Sequence, residues 1–187
     1  MRIKIGALTA AVATLALVAT LAWTQTPPQP GQQRHYPEGD PNQAFVLQGS
    51  TVMATAAKLR KDTGNASDVY LERHHSAHPG EEYSYRIGME HRLPNFPQNA
   101  SVHEKEAELW SIIDGALTVT TGGKLVDAKQ NGTNWGAKSI QGGKANRVAK
   151  GDFLMIPEGV PHQVTAVEGE ATLVTFELPR PRATYTP

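Results

Sequence analysis

The chain has 187 residues, 18 basic and 18 acidic side chains, a formal charge of zero and no cysteine. The length predicts one domain. The missing thiols exclude a disulfide framework, a thiolate nucleophile, a Cys-ligated zinc site and an iron–sulfur cluster, and the balanced charge argues against a dedicated nucleic-acid binder, which shows a basic excess.

Arg2 and Lys4 open the chain, and Ile5 to Trp23 carries no charge. A short positive start, an apolar run and Ala22 two residues after Thr20 are the pattern of a secretory signal peptide over residues 1–22. An uncleaved anchor is the other reading, since the uncharged run is close to the ~20 residues of a bilayer span. Either way the folded part lies outside the cytoplasm, periplasmic or secreted, and after cleavage it has no membrane partner. Residues 1–22 hold two basic and no acidic side chains, which leaves 16 basic and 18 acidic groups in the remainder. Residues 23–41, with Pro27, Pro28, Pro30 and Pro37, read as a flexible linker. Residues 42–187 are then the folded domain.

Ser50 is placed to cap a helix over Thr51–Lys61, with Val52, Met53, Ala56 and Leu59 on one face and Gly64 as its stop. Beyond it the pattern is of short strands: Val69–Glu72, Tyr83–Met89, Leu109–Ile113, Ala116–Thr121, Phe153–Ile156 and Ala171–Leu178. Asp114-Gly115 between two apolar runs reads as a hairpin turn. His74, His75 and His78 precede Pro79-Gly80 and read as a surface loop. The polar, Gly-rich stretch from Asp127 to Arg147 reads as a long loop with one short strand near Ser139–Ile140. Many close-spaced strands without alternating helices predict an antiparallel sandwich or barrel.

Two segments carry the chemistry. The first runs from Ser101 to Gly115 and contains His103 and Glu108; the second runs from Gly151 to His162 and contains Pro157, Gly159 and Pro161. With no thiol present, imidazole and carboxylate are the natural ligands for a divalent metal. Each has a structural reading as well: Glu108 as a surface carboxylate, His162 as a hydrogen-bonded histidine under a turn, His103 in a solvated charged run. Gly115, Gly151, Pro157, Gly159 and Pro161 read as turn residues, and Trp110, Phe153 and Phe176 as core.

These segments resemble the two motifs of the cupin superfamily, whose fold is a double-stranded β-helix or jelly-roll barrel. Four residues separate His103 from Glu108 and six separate Glu108 from Gly115; Gly151, Pro157, Gly159 and His162 also stand at the family spacings. The resemblance covers about Tyr83 to Leu178. Three positions depart from it: Ser101 stands where the first motif histidine would be, Asn95 where its opening glycine would be, and Ala166 where the second motif has asparagine. The resemblance implies an all-β fold with one short N-terminal helix. It implies metal ligation by the reduced set His103, Glu108 and His162, a set suited to Fe(II), Mn(II) or Zn(II) with open positions for water, oxygen or substrate. Ser101 is an accessory that could hydrogen-bond a metal-bound water, and His91 an accessory that could replace the missing ligand.

Three functions fit. The first is a metal-dependent enzyme, such as an oxygenase or isomerase, acting on a small organic molecule, with Glu108, Glu104 and Glu106 as the available bases. The second is a non-catalytic, metal-free module binding a sugar or organic acid. The third is an exported barrel that mainly forms a homodimer, with the N-terminal helix covering a sheet edge.

Overall fold

The computed structural model describes residues 40, 43–61, 68–75, 84–94 and 98–180. The signal peptide and nearly all of the linker expected from the sequence lie outside the described residues, as do Asn42, Gly64, His78-Pro79-Gly80, Tyr83 and Asn95. Among the described residues no helix is long and apolar enough to cross a membrane.

Among the described residues, the helix α1 spans Gly49–Lys61 and is followed by eleven strands: β1 Asp68–His75, β2 Ser84–Arg92, β3 Ala100–His103, β4 Glu106–Thr121, β5 Lys124–Val126, β6 Lys129–Asn131, β7 Asn134–Ala137, β8 Ser139–Gln141, β9 Lys144–Ala149, β10 Phe153–Ile156 and β11 His162–Pro179. All strand pairings are antiparallel. The fold is all-β apart from α1, of the double-stranded β-helix type.

Two long strands, β4 and β11, pair with each other along their whole length and belong to two sheets at once. The first half of β4 pairs with β10, and the last part of β11 pairs with β2, which in turn pairs with β1. The second half of β4 pairs with β9, while the start of β11 meets β3, which continues through β7 to β6. The bend between the halves lies at Gly115 in β4 and near Gly169 in β11, both at positive φ (74° and 73°), where the register of the pair shifts. Between Thr172 and Leu173 the pairing also passes over Ile113, and this one extra residue in β4 reverses which face its side chains take. Trp110 and Ile112 before the bend and Leu117 and Val119 after it therefore enter the same core, together with Val148, Ile156, Val164 and Leu173.

This corrects the hairpin reading of Asp114-Gly115. The two apolar runs are one strand, which reverses its face at Ile113 and makes its close crossing with β11 at Gly115. A Cβ on Gly115 would stand 1.9 Å from the Glu170 carbonyl oxygen, so the crossing of β4 and β11 is built on the absent side chain.

Helix α1 packs Ala56 and Leu59, with Val52, over Met89 and Val174 and the partly buried Ile87, Ile113 and Phe176. It covers the outer face of a sheet rather than an edge. Three local expectations are corrected here. The Val52 amide closes on the Gln48 carbonyl, so the helix begins before Ser50. Met53 is exposed, because the docking stripe is narrower than the apolar one. Phe153 is 68% exposed, since it lies on the outward side of β10 opposite Ser111. The stretch read as a long loop holds β6, β7, β8 and the start of β9, and Ser139–Ile140 falls in β8 as expected. Those strands are short and polar because they are mostly exposed, so they lack the alternation that marks a half-buried strand. His74 and His75 lie on β1, not in a loop.

Candidate metal centre

The site forms at the end of the barrel where β3, the start of β4 and the start of β11 meet. Ser101 of β3 is the register partner of His162, and His103 ends the same strand two residues later. A two-residue bend, Glu104-Lys105, then turns the chain into β4, and Glu108 follows on the inward side. The Pro157–Pro161 turn brings His162 to this point. Gly159, at φ 72°, donates its amide to the His103 carbonyl (2.9 Å), and the Gly122 amide holds the Pro161 carbonyl (2.8 Å). The turn of the second motif is thus hydrogen-bonded to the strand end of the first.

The structure brings His103, Glu108 and His162 together, with one ligand atom from each within 4.8 Å of the others. Glu108 Oε1 lies 3.4 Å from His103 Nε2, and Glu108 Oε2 lies 3.2 Å from His162 Nε2. The far ring nitrogens are committed elsewhere. His162 Nδ1 lies 3.1 Å from the Val160 carbonyl, an acceptor, so this nitrogen carries the hydrogen. His103 Nδ1 lies 3.1 Å from Asn134 Oδ1, which sets the same tautomer. Both Nε2 lone pairs therefore face the Glu108 carboxylate, whose buried Oε2 is in no hydrogen bond of ordinary geometry, while the neighbouring Trp110 indole N–H favours its charged form. Acceptors that converge in this way could hold a metal ion.

The electrostatics agree. Burial pushes the Glu108 carboxyl above its ordinary range, partly offset by His103. Burial, and secondarily the neighbouring His103, lowers the His162 imidazole to about 4. His162 is thus neutral, with its lone pair available, across the physiological range. Trp110 places its ring edge-on to His162, with centroids 5.9 Å apart, and closes the apolar side of the site.

A band of charged residues surrounds the three. Because β2 alternates, Arg86, Glu90 and Arg92 share its inward face with Gly88, while Ile87, Met89 and His91 take the outward face. Arg86 is ion-paired to Glu106 and Glu177, and Glu177 is the register partner of Glu108. Arg92 is bonded to Glu90 and, at 2.8 Å, to Gln98. Glu106 and Glu90 act on Glu108, and Glu108 acts on Glu177.

His91 does not join the three. It is buried on the opposite face of β2, with Nδ1 3.0 Å from Thr172 Oγ1 and Nε2 3.5 Å from Glu170. The alternation of the strand decides this, since an odd-numbered position of β2 faces away from the barrel interior. Ser101 is two residues from His103 and so shares its face of β3. Sequence reasoning missed Asn134, which stands opposite His103 in the β3–β7 register. It also missed the Arg86–Glu177 wall. Neither carries a local signal, because both depend on partners far away in the chain.

No protein-family model matches the chain, and no curated protein sequence matches it. Solved structures do resemble it. The cupin domain of Schizosaccharomyces pombe Cnp3 is 12% identical with a TM-score of 0.43; the match covers 63% of this chain and 66% of that one, just under two thirds of its length. TT1209 from Thermus thermophilus is 19% identical with a TM-score of 0.43, over 67% of this chain and 95% of that one. A protein with a double-stranded β-helix domain from Klebsiella pneumoniae is 16% identical with a TM-score of 0.37, over 52% and 69%.

Proposed function

We propose that this chain binds one divalent transition metal through His103 Nε2, His162 Nε2 and Glu108, and uses the remaining coordination positions to bind or transform a small organic molecule. The observation that carries the reading is the convergence of two imidazole lone pairs on a buried carboxylate with an orphaned oxygen. The charge around the site supports it. Among the described residues that act on Glu108, His162 or Glu177, the glutamates 90, 106, 108 and 177 outnumber the arginines 86 and 92 by two. A divalent cation neutralises that excess.

Two imidazoles and one carboxylate suit Fe(II), Mn(II) or Zn(II). Such an ion supplies Lewis acidity or, if iron, oxygen chemistry. The chain's own residues do the rest. Asn134 and the Val160 carbonyl hold the tautomers, Trp110 excludes water from one side, and Ser101 offers a hydroxyl on the open side. The test is metal analysis of the purified protein after refilling under reducing conditions. About one equivalent is expected from the three-ligand set, with none in Glu108→Ala or His162→Ala. Absence of metal from the refilled wild type would leave the metal-free binding module as the better reading. Export belongs to the same proposal, on the strength of residues 1–22, and N-terminal sequencing of the mature protein tests it.

A further inference from the structure

Asn131-Gly132 is the chain's one Asn-Gly pair, and it stands at an exposed turn. Gly132-Thr133 joins β6 to β7 as a two-residue connection, closed by the register pair Asn131 and Asn134. Gly132 takes the first turn position at φ 62°, which its missing side chain permits. A Cβ there would meet nothing within 4 Å, and the Gly132 amide donates no hydrogen bond among the described residues. Strand β6 pairs with β7 alone among the described residues, and all its residues are exposed. The turn is nonetheless tied to the candidate metal centre. The Thr133 carbonyl accepts the Glu104 amide (2.9 Å), next in the chain to His103, and Asn134 Oδ1 holds His103 Nδ1 (3.1 Å). The contrast with Asp114-Gly115 is sharp: that pair is enclosed in the β4–β11 crossing, where a Cβ on the glycine would stand 1.9 Å from a carbonyl oxygen, and Arg60 holds Asp114.

We propose that Asn131 is a self-modification site, where the side-chain amide cyclises onto the Gly132 nitrogen and the resulting isoaspartyl residue loosens the hold of the β6–β7 turn on His103. The nucleophile is already in the chain, so the reaction is intramolecular. The Gly132 nitrogen loses its proton and bonds to Asn131 Cγ. The Cγ–NH2 bond breaks, and ammonia leaves with the balancing proton from water. A succinimide ring results. Water then adds to one of its two carbonyl carbons. Addition at Cγ breaks the new N–Cγ bond and gives aspartate with the original backbone. Addition at the Asn131 carbonyl carbon breaks the original peptide bond and gives isoaspartate, with the chain running through Cβ and Cγ. One water is consumed, one ammonia is released, and nothing is oxidised. Isoaspartate adds one atom to the backbone at a connection of only two residues, and the register partner of Asn131 is the residue that holds His103. The covalent step stands by itself; its effect on metal affinity rests on the metal reading above.

The experiment ages the purified full chain at pH 8 and follows it by peptide mass mapping. The mass gain of exchanging NH2 for OH should appear at Asn131 before it appears at Asn99, Asn134 or Asn146, whose following residues are Ala100, Trp135 and Arg147. Enzymatic methylation of isoaspartyl carboxylates identifies the product. In the converted protein the Glu104 amide should exchange hydrogen about tenfold faster, the worth of one lost hydrogen bond. Zinc affinity, by competition with a chromogenic chelator, should fall about tenfold or more. Asn131→Gln, which must close a larger ring, should age without either change. Asn131→Asp adds the charge without the extra backbone atom and should stay within about threefold of fresh wild type in zinc affinity. Conversion at another asparagine first overturns the proposal. So does conversion of Asn131 that leaves Glu104 exchange unchanged, or an equal loss of zinc affinity in Asn131→Asp. Failure of fresh wild type to bind zinc sinks the metal reading alone, and Glu104 exchange then scores this inference by itself.

Discussion

Replacing Glu108 by glutamine reverses the ranking of stability between chelated and metal-loaded protein. The perturbation is nearly isosteric. Without metal, the wild-type carboxylate confronts two imidazole lone pairs at 3.4 and 3.2 Å and leaves Oε2 unpaired in a buried position. A glutamine amide at this place offers N–H donors to one Nε2 and removes the cost of a buried charge. An unsatisfied buried acceptor costs about 1–3 kcal/mol, so Glu108→Gln in excess chelator at pH 8 should be more stable than wild type by about 2 kcal/mol. For a chain of this size that raises Tm by about 4–8 °C. With metal at about 100 times Kd the wild type gains about 2.7 kcal/mol, while the variant, lacking the anionic ligand, gains almost nothing. Thermal unfolding followed by circular dichroism, with and without chelator, should therefore give curves that exchange order. If Glu108→Gln is instead the less stable protein in chelator, the three side chains hold one another as a protonated ion-paired cluster, and the argument for a missing cation fails.

Three further outcomes follow from the same geometry. Asn134→Ala releases His103 Nδ1 and should weaken metal binding by about 10- to 100-fold, measured by competition with a chromogenic chelator, while Tm in chelator stays within about 2 °C. Gly115→Ala places a Cβ 1.9 Å from the Glu170 carbonyl at φ 74° and should cost about 3 kcal/mol, lowering Tm by about 6–12 °C. Gly151→Ala, at φ 93° with nothing within 4 Å, should cost only the backbone strain of about 1–2 kcal/mol; equal losses at the two sites would refute the steric account of the bend. His162 has its imidazole lowered to about 4 from 6.5, so between those values the unfolded chain binds a proton that the folded one refuses. In chelator the stability of wild type relative to His162→Gln should then shrink as pH falls from 6.5 to about 4, by on the order of 3 kcal/mol. Urea titrations at pH 7, 5.5 and 4.5 measure this, and a constant difference would show that His162 is not held neutral by burial.

What the sequence revealed about this molecule depended on whether the physical cause was local. The turn residues of the second motif are local: Gly159 needs a positive φ, the prolines fix their neighbours, and His162 follows at a fixed distance. The grouping of His103, Glu108 and His162 was readable through the resemblance of the two segments to the cupin motifs, whose spacings these residues share. His91 was misplaced for the same reason in reverse. Its face is decided by the parity of β2, and that parity was obscured because the polar inward positions Arg86, Glu90 and Arg92 alternate with the apolar outward ones under α1. In an ordinary half-buried strand the apolar face is the inside; here the inside of the barrel is the charged face, and the apolar face packs on the helix.

Asp114-Gly115 shows the same limit at the level of the fold. An apolar run, a glycine and a second apolar run fit a hairpin, and they fit equally a continuous strand that changes sheets. Only the partner chooses between them, and that partner is β11, which bends near Gly169 and packs against the Gly115 side of β4 from more than fifty residues away. The consequence for function is direct. Because β4 and β11 each cross from one sheet to the other, the start of each strand is free to contribute Glu108 and His162 to one open end of the barrel, while their bends close the core behind. A hairpin at Gly115 would have folded the second half of β4 back onto the first, occupied the edge that β11 now pairs with, and left Glu108 without Glu177 beside it. The meeting of Glu108 and His162 at one end of the barrel, with Glu177 beside Glu108, therefore depends on β4 running unbroken through Gly115.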